Sequence, residues 1–206
     1  MSSADALEQL AAQIRSCQKC PLGRLRTHAV PGEGPADAEI MLIGEAPGYH
    51  EDKQGRPFVG ASGRLLEKLL AQIQLSREDV YITNVVKCRP PANRDPLPAE
   101  IEACQPWLRQ QIDLIDPLVI VTLGRFSMAQ FLPPSARITR VHGQPMMQED
   151  RAITPMFHPA AALRNANWMR DMEADFVRIP ELLAKVRALR AAREQEGRGP
   201  EQLSLF

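Results

Sequence analysis

Four apolar runs, separated by stretches with helical spacing, restrict this chain to a narrow set of folds. The runs are residues 39–44, 80–86, 118–123 and 152–157, short and unalternating, as strands buried on both faces are. Between them apolar residues recur three and four apart. Residues 62–72 carry Leu65, Leu66, Leu69 and Leu70, and residues 99–115 carry Ile101, Trp107, Leu108 and Ile112. A shorter helical stretch, 124–131, starts at a strand end, and one long terminal helix is expected over 169–193. Strands alternating with helices predict an α/β fold, a three-layer α/β/α arrangement around a central four-stranded parallel sheet. A chain of 206 residues, 44% of them hydrophobic, suffices for one such domain, expected over residues 1–196.

In parallel sheets ligands bind beyond the carboxyl ends of the strands. Gly44-Glu45-Ala46-Pro47-Gly48 follows the first run, and Asn84 and Lys87 end the second. Gly124 follows the third, and Phe157-His158-Pro159-Ala160 follows the fourth. A carboxylate, an amide and an imidazole are thus expected on one rim. The glycines and prolines of residues 44–60 let the backbone approach a ligand closely. Phe58 lies in that loop, where no core aromatic is required and a planar ring can stack on a base. Formal net charge is zero, so a nucleic-acid role has to come from local patches. Lys87, Arg89 and Arg94 flank a proline-rich loop, Arg137 and Arg140 precede His142, and Arg164 and Arg170 follow His158.

The cysteines fall as Cys17-x2-Cys20 and Cys88-x15-Cys104, with none left over. A pair on one tight turn closed by a distant pair is the pattern of a four-thiolate metal site, one that clips the N-terminal segment onto the body of the fold. Disulfides would require an oxidising compartment. The first residues offer no basic region, Glu8 and Gln13 interrupt any apolar one, and no stretch approaches a membrane span. A cytoplasmic location is therefore expected. The spacing suits zinc as well as iron–sulfur, and Cys20-Pro21 fits cluster-binding runs.

Gly44-Glu45-Ala46-Pro47-Gly48, Gly55-Arg56-Pro57-Phe58-Val59-Gly60, Thr83-Asn84-Val85-Val86-Lys87-Cys88-Arg89-Pro90-Pro91 and His158-Pro159-Ala160-Ala161-Ala162-Leu163-Arg164 together resemble the family 4 uracil-DNA glycosylases. These are iron–sulfur enzymes of base-excision repair. The resemblance covers Cys17 to Leu163 and implies hydrolysis of the N-glycosidic bond of uracil in single- and double-stranded DNA, leaving an abasic site. It further implies a structural 4Fe–4S cluster on Cys17, Cys20, Cys88 and Cys104, and a nucleoid-associated monomer. Uracil presents an acceptor at O4, a donor at N3 and an acceptor at O2. The Asn84 amide offers a donor and an acceptor side by side, matching O4 and N3–H, whereas cytosine reverses that pattern. His158 matches the family's donor to O2, which stabilises the departing uracil anion.

The resemblance also places Glu45, Ala46, Glu51 and Phe58 around uracil, with Glu51 obstructing the 5-methyl of thymine. Ala46 stands where family 1 enzymes carry an aspartate. Either Glu45 or Glu51 therefore activates water, or leaving-group stabilisation carries a dissociative path. Lys87, Arg89, Arg94 and Arg164 are expected to contact DNA, and residues 164–167 lie where related enzymes insert a wedge. The alternatives are a glycosylase of broader deaminated-base specificity and a non-catalytic repair module of the same fold; Asn84 with Glu51 argues for uracil. An electron-transfer role is disfavoured because no flavin or dinucleotide fingerprint accompanies the cysteines.

Residues 197–206 read as a flexible tail: Gly197-Arg198-Gly199-Pro200 is a break. Gln202-Leu203-Ser204-Leu205-Phe206 resembles the peptide by which bacterial polymerases and repair enzymes dock on the sliding clamp. In that mode Gln202 would bond a polar subsite while Leu205 and Phe206 fill an apolar pocket.

Overall fold

The computed structural model describes residues 2–197. In chain order the elements are α1 (Ser3–Ser16), α2 (Leu22–Leu25), β1 (Ile40–Gly44), α3 (Tyr49–Gln54), α4 (Ala61–Gln72), β2 (Tyr81–Asn84) and α5 (Pro98–Ile115). Then follow β3 (Val119–Leu123), α6 (Arg125–Met128), α7 (Ile138–Val141), β4 (Met146–Gln148), β5 (Arg151–Met156), α8 (Pro159–Ala162), α9 (Ala166–Phe176) and α10 (Ile179–Gly197). The sheet runs β2-β1-β3-β5-β4, parallel across its first four strands.

Three layers follow from which way each strand residue points. Leu42, Val119 and Val121 pack with Leu66, Leu69 and Leu70 of α4, Met172 and Phe176 of α9 and Val186 of α10. Met41, Ile43 and Ile120 turn the other way, against Leu10 and Ile14 of α1 and Trp107, Leu108 and Ile112 of α5. Apolar residues are needed on both faces, so β1 and β3 are buried throughout. No helix among the described residues is long and apolar enough to cross a membrane.

The sheet departs from the expected four strands. β4 adds a fifth, antiparallel to β5, with Met147 opposite Ala152. It is three residues long, and Met146 and Met147 are exposed, so it leaves no apolar run in the sequence. The expected terminal helix is two helices. Pro180 has no N–H to continue α9 but fits the first turn of α10. The sequence reading also passed over α1, although Ser2 and Asp5 form a reciprocal capping box and Leu7, Leu10 and Ile14 share its buried face. Its packing on α5 brings the N-terminal segment onto the body of the fold. Gln202, Leu203, Leu205 and Phe206 lie outside the described residues.

Candidate active site

Register decides where the site opens. Gly44 pairs with Asn84 across β1 and β2, and Leu123 with Met156 across β3 and β5. The chain's order reverses between β1 and β3, the position at which open parallel sheets take ligands. A cleft of about 530 Å³ opens there, lined by Glu45, Ala46, Glu51, Phe58, Asn84, His158, Arg94 and Arg164, among others.

Asn84 is 2% exposed, and its Oδ1 is sealed from solvent with no hydrogen-bond partner among the described residues. A buried acceptor left unpaired costs about 1–3 kcal/mol, a cost removed once the carboxamide turns toward a donor in the cleft. Gly44 permits the arrangement: a Cβ there would lie 2.3 Å from Asn84 Oδ1 and 2.6 Å from Phe58 Cζ. Gly63 in α4 does the same from beneath, where a Cβ would meet the Phe58 carbonyl oxygen at 1.7 Å.

Phe58 itself sits in the left-handed region, at φ 52°, a conformation costing a bulky residue about 1–3 kcal/mol. Arg77 holds it there, donating from Nη1 to the Phe58 carbonyl at 2.9 Å and from Nη2 to the Pro57 carbonyl at 2.6 Å. Glu33 in turn fixes the Arg77 guanidinium. The Phe58 ring lies 6.0 Å from that of His158, at 28° to it.

His158 caps α8, its Nδ1 accepting the Ala160 N–H at 3.1 Å. A backbone N–H can only donate, so Nδ1 is bare and Nε2 carries the hydrogen of the neutral ring. Burial pulls the imidazole pKa down to about 4, against the opposing pull of Glu51. At ordinary pH the residue is therefore a neutral donor.

The two glutamates have different tasks. Glu51 Oε1 accepts the Val59 and Gly60 N–H groups, each at 3.0 Å, and Oε2 accepts that of Gly48 at 3.1 Å. It staples the two glycine loops together with three of its four lone-pair sites, two on Oε1 and one on Oε2. Of the two glutamates expected as bases, Glu51 is thus the one tied to the backbone. Glu45 is half-buried; desolvation, then the charge of Asp95, pushes its pKa up to about 7, with Arg125 opposing. A carboxylate poised near neutrality suits proton abstraction.

Of the expected DNA-contacting cations, Arg94 lines the cleft while gripping the buried Glu100 at 2.9 and 2.7 Å. Arg89 bonds Asn93 Oδ1 at 2.6 Å and lies 5.2 Å over the exposed Tyr49 ring. Arg164 is exposed at the cleft. Lys87 is a correction. It is 0% exposed, and its ammonium bonds Thr83 Oγ1, the Asn84 carbonyl and Gln111 Oε1, so it meets no phosphate. Its place at the end of an apolar run, next to a cysteine, was the available signal. Arg77, Glu33 and Gln111 were missed because their partners lie far away in sequence; Gly63, costly inside a helix, was a visible flag.

The four cysteines are free and line one cavity with Arg26, Lys87 and Trp107. Arg26 Nη1 lies 2.9 Å from Cys88 Sγ, and the Lys87 N–H donates to Cys104 Sγ at 3.2 Å. Burial pushes the Cys104 thiol up to about 11, so bare thiolates there would be costly. Among the described residues no three His, Cys, Asp or Glu side chains are gathered closely enough to hold a metal ion.

The family model described as the uracil DNA glycosylase superfamily matches residues 31–183. The chain is 50% identical over 187 residues to the type-4 uracil-DNA glycosylase of Sulfurisphaera tokodaii, covering 86% of this chain and 85% of that protein. It is 46% identical over 191 residues to the type-4 enzyme of Archaeoglobus fulgidus, covering 88% and 95%. Against a type-5 uracil-DNA glycosylase, that of Thermus thermophilus, identity is 34% over 157 residues, 61% of this chain and 71% of that protein. With type-4 relatives matched over most of their length and type-5 over less, the chain belongs to the uracil DNA glycosylase superfamily and, within it, to the type-4 uracil-DNA glycosylases.

Proposed function

We propose that this protein hydrolyses the N-glycosidic bond of uracil in DNA, and that Asn84 and His158 read and release the base. The unpartnered, buried Asn84 Oδ1 carries this reading. Uracil supplies the missing donor at N3, while the Asn84 Nδ2 donates to O4. Cytosine offers an acceptor at N3 and a donor at its 4-amino group, so both contacts would fail. Sites built to pair with one edge reject the other strongly, because buried polar groups would be left unpaired.

The base is reached only when flipped from the stack, at a cost of a few kcal/mol. Stacking on Phe58 returns about 1–3 kcal/mol. Bond cleavage leaves negative charge on uracil O2 and O4. The His158 Nε2–H donates to O2, stabilising the anion as it forms. Glu51 keeps the pocket wall rigid beside uracil C5, where a 5-methyl group would collide. Arg89, Arg94 and Arg164 take phosphate contacts along the rim, and the segment 164–167, preceded by the exposed Leu163, is where a side chain would fill the vacated stack.

Glu45 is assigned the water-activating role, which fixes a pH dependence. A base acts as its carboxylate, so kcat/KM should fall as pH drops below about 7 and level off above it. His158, neutral above about 4, adds no second limb between pH 5 and 8. The same pH profile in Glu45→Gln as in the wild-type protein would remove Glu45 from the role.

Cys17, Cys20, Cys88 and Cys104 are assigned a structural 4Fe–4S cluster. All four thiols line one cavity, where a shared group would reach each of them. The Arg26 guanidinium and the Lys87 N–H are donors suited to anionic sulfur. Held by Cys17 after α1, Cys88 after β2 and Cys104 of α5, such a group would tie these elements together and supply folding free energy. Cys17→Ser and Cys88→Ser should yield colourless, poorly soluble protein, scored by iron content. A soluble, fully active variant with all four cysteines replaced would contradict a structural cluster.

The remaining assignments are a cytoplasmic, nucleoid-associated monomer and docking of Gln202–Phe206 on a bacterial sliding clamp, supported by the likeness of that peptide to clamp-binding motifs. Deleting residues 202–206 should abolish clamp binding in calorimetry and leave excision on short oligonucleotides unchanged. Undiminished binding would end the clamp assignment.

A further inference from the structure

Lys87 is a buried cation that the reaction scheme leaves unused. Its three ammonium hydrogens meet three neutral acceptors: Thr83 Oγ1 at 2.6 Å, the Asn84 carbonyl at 2.7 Å and Gln111 Oε1 at 2.6 Å. Those partners are themselves anchored. Gln111 Nε2 donates to the Pro31 carbonyl at 2.8 Å and to the Tyr81 hydroxyl at 3.0 Å, and Thr83 Oγ1 donates to the Pro31 carbonyl at 2.8 Å. The backbone of Lys87 is tied as well. Its N–H reaches Cys104 Sγ at 3.2 Å, and its carbonyl accepts the Val30 N–H at 2.8 Å.

An apolar side chain of similar length would fill this space without removing an ammonium from water. Lysine is almost never fully buried unless paired, and here one of its three partners is the backbone carbonyl of a residue that lines the cleft. Asn84 is the last residue of β2. The peptide that follows is held at both ends: its Val85 N–H donates to the Gly44 carbonyl at 3.0 Å, and its carbonyl, that of Asn84, accepts from the Lys87 ammonium at 2.7 Å. A rotation of that peptide would swing the carboxamide away from the cleft, and small misplacements of reacting groups carry large rate penalties.

We propose that Lys87 is a positioning residue: its ammonium holds the peptide that aims Asn84 at the base. The proposal rests on the reading of Asn84 as the group that pairs with uracil.

The test is a double-mutant cycle between Lys87→Met and Asn84→Ala in full-length, cluster-loaded protein, measuring iron content, inhibition by free uracil and affinity for abasic-site DNA. Lys87→Met should retain iron and abasic-DNA affinity, weaken uracil inhibition at least tenfold and lower single-turnover excision about a hundredfold. In the Asn84→Ala background the same substitution should weaken uracil inhibition less than twofold, because what Lys87 positions is already gone. Equal losses in both backgrounds, or full uracil affinity in Lys87→Met, would overturn the proposal. Should Lys87→Met emerge without iron, Thr83→Val, which removes one anchor of the ammonium, is put through the same cycle and must show the same non-additivity. Normal uracil affinity in Asn84→Ala alone would instead overturn the reading of Asn84.

Discussion

Replacing Asn84 by alanine should lower single-turnover uracil excision on the order of a thousandfold and leave the melting temperature unchanged or higher. The two effects share one cause. Asn84 Oδ1 is buried with no partner among the described residues, so removing it relieves a cost of about 1–3 kcal/mol. That relief offsets the packing lost with the side chain. The same deletion strips the pocket of its match to O4 and N3–H, and losing one pre-aimed contact of this kind costs about 2.7–4 kcal/mol of transition-state stabilisation. Activity traded against stability in this direction marks a functional group rather than a structural one. Thermal melts and single-turnover kinetics on one protein preparation decide it. A destabilised variant that still excises uracil would contradict the assignment.

His158→Ala should lower kcat about a hundredfold to a thousandfold, with a smaller change in ground-state binding. The Nε2–H bond to O2 strengthens as the uracil anion develops, so it acts mainly in the transition state. The stability signature is opposite to that of Asn84. His158 Nδ1 caps α8 through the Ala160 N–H, and losing a cap costs about 1 kcal/mol. The variant should therefore melt lower and react more slowly. Single-turnover rates near those of the wild-type protein would remove His158 from the mechanism.

The strands and the rim were legible in the sequence because burial on both faces leaves continuous apolar runs. Their carboxyl ends then place Asn84, His158 and the Gly44 turn on one rim, and the family resemblance suggests their roles. β4 escaped because Met146 and Met147 face outward on a three-residue edge strand. The division of α9 from α10 was written in Pro180 but outweighed by the apolar repeat on either side.

Within the site, side-chain roles were less legible than positions. Glu45 and Glu51 stand in one motif, and only their contacts separate them. Glu51 is committed to the N–H groups of Gly48, Val59 and Gly60, whereas Glu45 is half-buried beside Asp95. Lys87 shows the general difficulty: a lysine in a basic loop reads as surface charge. Its burial depends on Gln111, 24 positions away, and on the carbonyl of the residue it serves. The left-handed Phe58 depends likewise on Arg77, 19 positions further along.

The most direct test of the central claim uses oligonucleotides that differ only at one position, carrying uracil, cytosine or thymine, as single strands and as duplexes. Each is incubated with the purified protein, and abasic sites are revealed by alkaline cleavage. Strand scission at uracil alone, in both forms of DNA, with Asn84→Ala nearly inactive under the same conditions, is the predicted result. Scission at cytosine or thymine to the same extent as at uracil, or none at uracil, would contradict a pocket that selects its base by pairing Asn84 with O4 and N3–H.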